Sequence, residues 1–417
     1  MSACWTVGTQ REHVLREFSM SIQPVLGQTF RMKKINNFSS DNDLELVLVQ
    51  ALWRHGDRAP QYPYKNDKIS EKDWEKIGSG IGQLTVEGLK QQYELGKAIR
   101  NRYIDEKKFL SKDFDKNLIK FRSTNRNRTI LSAEANFLGM YPKQEFHFPI
   151  LVPENYASDC VNNVMCKCPR REKLQKMAKN LKEVRDLEED PEVILLFNSL
   201  SILTGEKIDI ENFWRIPDTF RCENRHFPQL LANLTPWFSQ NLMEKLEDLN
   251  TKINEFTSGI YSNPSFETGK KSIDISKEIV KLRSGPLITE IFQRMIRKLE
   301  SRKDDLKYYA YSSHDMTLYA FLTAMGLQNI TSSEIGGWPS YASAIFIELF
   351  VNKTDNNPFF KVIYRTPATQ IFRNLTPLIP KCEGKSHCEM EIFQKIYEDL
   401  KIDLPVDKYC QVTNDLE

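Results

Sequence analysis

Two guanidinium groups flank one imidazole in the segment Arg54-His55-Gly56-Asp57-Arg58-Ala59-Pro60. Guanidinium forks match the oxygens of a phosphate and stay charged at any relevant pH. A neutral imidazole held between them offers a lone pair to an electron-poor phosphorus. Gly56 permits close backbone approach, and Pro60 helps to fix the path out of the segment. Two further stretches carry residues of the same kinds: Arg122-Ser123-Thr124 with Arg128, and His314-Asp315, where a carboxyl group adjoins a second imidazole. Taken alone, each of these two reads as ordinary surface charge. Arg122 is singled out by its place after a strand, whereas Arg128 reads as an internal ion-pair partner. His13, His147, His226 and His387 read as surface or satisfied core residues.

The three stretches share one position relative to the expected elements. LELVLVQALW, Leu44 to Trp53, is an apolar run that predicts a strand buried on both faces, and the first stretch begins where it ends. LIKF at 118–121 predicts a strand leading to Arg122, and YYAYSS at 308–313 one leading to His314. Thr85 predicts a helix N-cap, with Leu89, Tyr93, Gly96, Ile99 and Tyr103 recurring at helical spacing. TILSAEANFLG predicts a helix closed by Gly139. Pro286 predicts the first residue of another, whose apolar stripe runs from Leu287 to Leu299. Helix DMTLYAFLTAMG and strand SAIFIELFV follow. This alternation predicts an α/β fold, a mostly parallel sheet flanked by helices. Ligands of such sheets bind beyond the carboxyl ends of the strands, where all three stretches fall.

Texture along the chain predicts four parts. Residues 1–43 read as a poorly ordered extension; 44–142 and 281–381 form a discontinuous α/β catalytic domain. The charge-rich, helix-forming stretch 143–280 reads as an inserted helical cap, and 382–417 as a cysteine-containing tail.

Composition excludes several classes of function. The 417 residues carry 58 Lys and Arg against 56 Asp and Glu, a net charge of +2, so no nucleic-acid partner is expected. No apolar run approaches the ~20 residues that cross a bilayer, which argues against an integral membrane segment. Neither the eight cysteines nor the six histidines show metal-site spacing, so no metal or other cofactor is expected. Scattered cysteines can be thiols, metal ligands or disulfides; disulfides are favoured. Six N-x-[ST] sequons, at Asn37, Asn127, Asn233, Asn329, Asn352 and Asn374, point the same way, with Asn127 expected to be buried. The first 43 residues show no apolar signal-peptide core.

R-H-G-x-R-x-P resembles the signature of the histidine phosphatase superfamily in its acid phosphatase branch. Gln83-Leu84-Thr85 with Gly88 resembles that family's G-x-L-T-x-x-G helix start. Arg122-Ser123-Thr124 with Arg128 and Ser132 resembles its R-S-T-D-x-x-R-T-x-x-S-A segment, and His314-Asp315 its second histidine and proton donor. Cys168-Pro169-Arg170 and the cysteine-rich tail resemble the lysosomal and prostatic acid phosphatase group. The resemblance implies His55 as the nucleophile that becomes a phosphohistidine and Asp315 as the general acid. It implies Arg54, Arg58, Arg122 and His314 as the phosphate-binding residues. It further implies small phosphorylated substrates, with phosphoproteins and a homodimeric partner as extensions, and a lysosomal or extracellular location. Carried-over disulfides are Cys168–Cys410 and Cys382–Cys388, with Cys160–Cys166 as a local guess.

The chain departs from the family at three places. Asn125 replaces the aspartate of R-S-T-D, Ser284 stands where a second glycine is usual, and Cys222 lacks its partner because Ala344 occupies that strand position. Other phosphate chemistries fit poorly. No cysteine begins a C-x5-R, Pro264 spoils a P-loop at Gly269-Lys270-Lys271-Ser272, and no G-x-S-x-G is present. The runner-up is a phytase or inositol-polyphosphate phosphatase, which a cap lined with lysines would favour, whereas an open or apolar mouth would favour small aryl and alkyl phosphates. An inactive relative that binds phosphorylated ligands is the alternative of another class.

Overall fold

The computed structural model describes residues 43–143, 150–268, 271–301, 304–328, 338–413 and 416. Most of the expected extension, Cys4, Asn37 and Asn329 lie outside the described residues.

One sheet organises the fold. Strands β1 (Leu44–Arg54), β2 (Ile119–Ser123), β3 (Ile150–Leu151), β4 (Tyr308–Ser313), β5 (Ala344–Asn352), β6 (Pro358–Arg365) and β7 (Cys388–Glu389) lie in the order β7-β6-β5-β1-β4-β2-β3. The short Arg373–Asn374 pairs with β6. From β1 through β4 and β2 to β3 the strands are parallel. Strands β5, β6 and β7 join antiparallel to their neighbours, so the expected sheet is a mixed one whose parallel half carries the three stretches. β1 is central because both of its faces are apolar. Leu48 and Leu52 enter one core, while Val49, Ala51 and Trp53 enter the other, the period of two expected of a pleated strand.

On the second face, α1 (Val86–Arg100) and α2 (Asn127–Met140) cross closely. A Cβ on Gly96 would lie 2.0 Å from the Asn136 carbonyl oxygen, and one on Gly139 2.1 Å from that of Tyr93. Gly139 therefore does not close α2, as the sequence suggests; it lets two helix backbones touch. Thr85 caps α1 as expected, accepting from the Gly88 amide at 3.1 Å.

Between β3 and residue 275 the described residues form six α-helices, among them α3 (Arg215–His226), packed around Leu174, Phe213, Phe220, Leu231 and Leu246. The first face of the sheet is covered by α4 (Ile275–Glu300), α5 (Asp315–Ala324) and α6 (Met390–Leu400). Pro286 lies inside α4 rather than at its start. Asp274 is the true cap, accepting from the Lys277 amide at 2.9 Å, and buried Ile275, Ile279 and Leu282 extend the apolar stripe ahead of the proline. A proline inside a helix costs about 3 kcal/mol, which this burial outweighs.

Disulfides join Cys160–Cys166, Cys168–Cys410 and Cys382–Cys388, as expected, and Cys222 is a buried free thiol. Asn127 is exposed, contrary to expectation, because it begins α2 at the surface and donates to Gln83 Oε1. No helix among the described residues is long and apolar enough to cross a membrane.

A buried acid pair makes stability depend on pH. Burial, then the neighbouring Asp67 charge, holds Glu223 of α3 well above the usual carboxylate range, and burial also raises Asp67. Groups raised on folding give stability that is complete below the unfolded value, near 4, and lost as pH climbs through the folded ones. The denaturation midpoint should therefore fall between pH 5 and pH 8, and Glu223→Gln should flatten that fall. An unchanged slope in the variant would exclude the pair as its source.

Candidate active site

The parallel half of the sheet brings the three stretches together. Arg54 at the end of β1 pairs with Ser313 at the end of β4. The His55 amide donates to the Ser313 carbonyl at 2.9 Å, and the Ala342 amide, just ahead of β5, donates to the His55 carbonyl at 3.1 Å. The His55 and His314 rings consequently meet edge to face with centroids 5.4 Å apart, and Tyr341 lies 5.8 Å from His55. The loop rests directly on the start of α1. A Cβ on Gly56 would fall 2.1 Å from the Gly88 carbonyl oxygen, so only glycine fits. Its amide donates to Ser132 Oγ of α2 at 3.1 Å.

His55 is buried, with Nδ1 2.8 Å from the carbonyl oxygen of Gly56. A carbonyl can only accept, so Nδ1 carries the proton and Nε2 keeps its lone pair. Burial, then Arg128, His314, Arg54 and Arg58, push the His55 pKa well below the usual histidine value. The ring is neutral and surrounded by cations.

Each cation is held differently. Arg54 lies 3.9 Å over the Tyr341 ring, donates to the Pro339 carbonyl at 2.8 Å and pairs with Asp315 at 3.1 Å. Arg58 is gripped by both oxygens of Asp218, at 2.8 and 3.0 Å. Arg128 donates to Gln61 Oε1 at 3.2 Å, and burial followed by the repulsion of Arg58 brings it down to about 10, still charged at neutral pH. The buried Nε atoms of Arg54, Arg58 and Arg128 have no hydrogen-bond partner among the described residues, which leaves donors for an anion.

Arg122 and Arg128 exchange their expected places. Arg122 pairs with Asp159 at 2.7 Å and with Glu290 of α4 at 3.5 Å, and it is not among the residues lining the cavity. Strand alternation explains this, since Arg122 in β2 turns toward the face that α4 covers. Arg128 occupies the first turn of α2, one turn before Ser132, which holds the Gly56 amide. That i, i+4 relation to Ser132 is the sequence signal for its place at the cavity.

His314 caps the start of α5, with Nε2 3.0 Å from Thr124 Oγ1. The Thr129 hydroxyl donates to backbone carbonyls, so Thr124 donates to Thr129 and is left to accept from His314 Nε2. Burial, then Arg128, lowers the His314 pKa well below the usual value, with Asp315 opposing. Asp315 is the first residue of α5 and accepts from the Met316 amide at 2.8 Å. Burial raises its pKa, but Arg54, Arg58 and that amide outweigh burial and bring it down to about 2.

His55, Arg58, Arg128, His314 and Asp315 all line a cavity of about 600 Å³. Trp214, just before α3, and Asp218 and Arg221 of α3 also line it, and sequence reasoning missed them, as it missed Tyr341. His226 is a satisfied partner of buried Asp57 at 2.5 Å, beside Arg225 at 2.8 Å.

Residues 45–365 match the family model of the histidine phosphatase superfamily, branch 2. Acid phosphatase 10 of Caenorhabditis elegans, provisionally so named, is 34% identical over 90% of this chain and 96% of its own. The lysosomal acid phosphatase of Xenopus laevis is 30% identical over 89% and 80% respectively. Among solved structures, the phytase of Klebsiella sp. ASR1 superposes with a TM-score of 0.63 at 13% identity, covering 90% of this chain and 99% of that one, a likeness of fold. The match spans all three stretches that meet at His55, and the chain accordingly belongs to branch 2 of the histidine phosphatase superfamily.

Proposed function

We propose that the protein is an acid phosphatase that hydrolyses phosphate monoesters through a phosphohistidine at His55. The observation carrying this reading is the His55 ring, neutral and fixed as the Nδ1–H tautomer, with Nε2 free among Arg54, Arg58 and Arg128. In the first step Nε2 forms a bond to phosphorus as the ester P–O bond breaks, and Asp315 delivers its proton to the departing alkoxide. In the second, water attacks phosphorus, Asp315 takes up its proton, and the P–N bond breaks. Arg54, Arg58 and Arg128 hold the phosphoryl oxygens, with Arg128 in the role first given to Arg122. The free Asp315 is ionised and paired with Arg54. A bound phosphate competes for Arg54 and adds negative charge, both of which raise Asp315 toward its working protonation state. His314 acts beside it: as the dianion arrives, Nδ1 takes up a proton from the solvent and donates to a phosphoryl oxygen. Disulfides and an acid-stabilised carboxyl pair suit a lysosomal or secreted setting.

Charge around the cavity favours single phosphates over inositol polyphosphates. Lys179 is paired with Glu211 at 2.6 Å and Arg221 with Glu247 at 2.6 Å, and Glu172 and Glu188 share the lining. p-Nitrophenyl phosphate should be turned over at pH 4–6 in the presence of EDTA, because guanidinium groups supply the positive field. Inositol hexakisphosphate should be at least tenfold poorer in kcat/KM. Activity that requires an added divalent metal, or a preference for the hexakisphosphate, would overturn this reading.

The two arginines separate in a second test. Arg128→Ala should weaken competitive inhibition by inorganic phosphate roughly tenfold to a hundredfold, the worth of a charged hydrogen bond. Arg122→Ala should change it by no more than about threefold while lowering stability, since it strips buried Asp159 of its ion-pair partner.

A further inference from the structure

The cavity is far larger than a phosphate. Its ~600 Å³ falls in the range of ~300–1,000 Å³ typical of sites that enclose a whole small ligand. Beyond the His55 cluster its wall includes Met165, Val184, Ile210, Trp214, Ile253 and Phe256, side chains from four of the inserted segments. Two of the cations beside them are neutralised in pairs, Lys179 with Glu211 and Arg221 with Glu247, and Lys176 shares the lining with Glu172 and Glu188. A second phosphate or a carboxylate on the substrate would gain little there, because Lys176 is outnumbered by Glu172 and Glu188.

We infer that this wall is a subsite for the alcohol half of the substrate and takes an extended apolar group, an alkyl chain bearing one terminal phosphate. The inference rests on the phosphatase reading for its anchor, since the phosphate must sit at Arg54, Arg58 and Arg128. The alkyl chain is chosen because these apolar side chains line the same cavity as the phosphate-binding His55, Arg58 and Arg128. Burying a methylene multiplies affinity about fourfold when the burial is complete. A chain threading this wall should therefore show a slope of about two- to fourfold per carbon until the wall is filled.

Calorimetry with ethyl-, butyl-, hexyl- and octylphosphonate, kept below their micellar concentrations, reads the subsite without turnover. Affinity should rise with each added carbon and then level off. Ile210→Glu and Met165→Glu, at partly exposed positions that tolerate a charge, should flatten the slope. The same series of alkyl phosphates should show a parallel rise in kcat/KM, because their leaving alkoxides are chemically alike. Affinity independent of chain length, or a slope unchanged in both variants, would overturn the subsite. Chain-dependent phosphonate binding without hydrolysis of any alkyl phosphate would instead overturn the phosphatase reading and leave the subsite standing.

Discussion

His55→Ala should lower kcat by about four orders of magnitude or more, because it removes the only route through a covalent intermediate. The loss should be chemical rather than structural. The imidazole makes one short hydrogen bond, to the carbonyl of its own neighbour Gly56, and the strand behind it is held by pairing with β4 and β5. Inorganic phosphate should still bind, since Arg54, Arg58 and Arg128 keep their positions. Circular dichroism and phosphate binding resembling the parent, with activity gone, would match this account. Activity within tenfold of the parent would remove His55 from the mechanism.

The second large effect depends on the leaving group. Asp315→Asn should lower kcat/KM for ethyl phosphate by about two to four orders of magnitude, because an alkoxide must be protonated as it departs. The loss for p-nitrophenyl phosphate should be far smaller, since nitrophenolate leaves unaided. The pH dependence follows from the same carboxyl group. Free Asp315 sits near 2, so the free enzyme's carboxyl is ionised over the acid range, and only the complex with a phosphate dianion holds the proton. Catalysis should fall as pH rises through that raised value, and the descending limb should vanish in Asp315→Asn. Equal losses on both esters would count against a general acid at this position.

How far the site could be read from sequence varied with the range of the interactions. Arg54, His55 and Arg58 were legible because they follow an apolar run whose strand character needs no partner to be recognised. His314 and Asp315 were legible for the same reason at the end of β4. The reading of Arg122 as the cavity-facing cation differs from the fold, where strand alternation turns Arg122 toward α4 and Arg128, at the helix start, lines the cavity. Asp218 carried no local signal, since its partner Arg58 is 160 residues away. Pro286 and Gly139 were misread as punctuation because their local rules are outweighed by buried contacts across helices. The expectation of a mostly parallel sheet described the half that builds the site; the antiparallel addition of β5 to β7 depends on pairing choices that strand composition does not encode.

The central claim is that phosphorus becomes bonded to His55. Mixing the enzyme with ³²P-labelled p-nitrophenyl phosphate and quenching in alkali during turnover should trap a phosphate that is stable to base and labile to acid. Peptide mapping should place it on the peptide containing Arg54-His55-Gly56, with no label on His55→Ala. Label on any other residue, or turnover of the labelled ester with no trapped phosphate at any time point, would contradict the account.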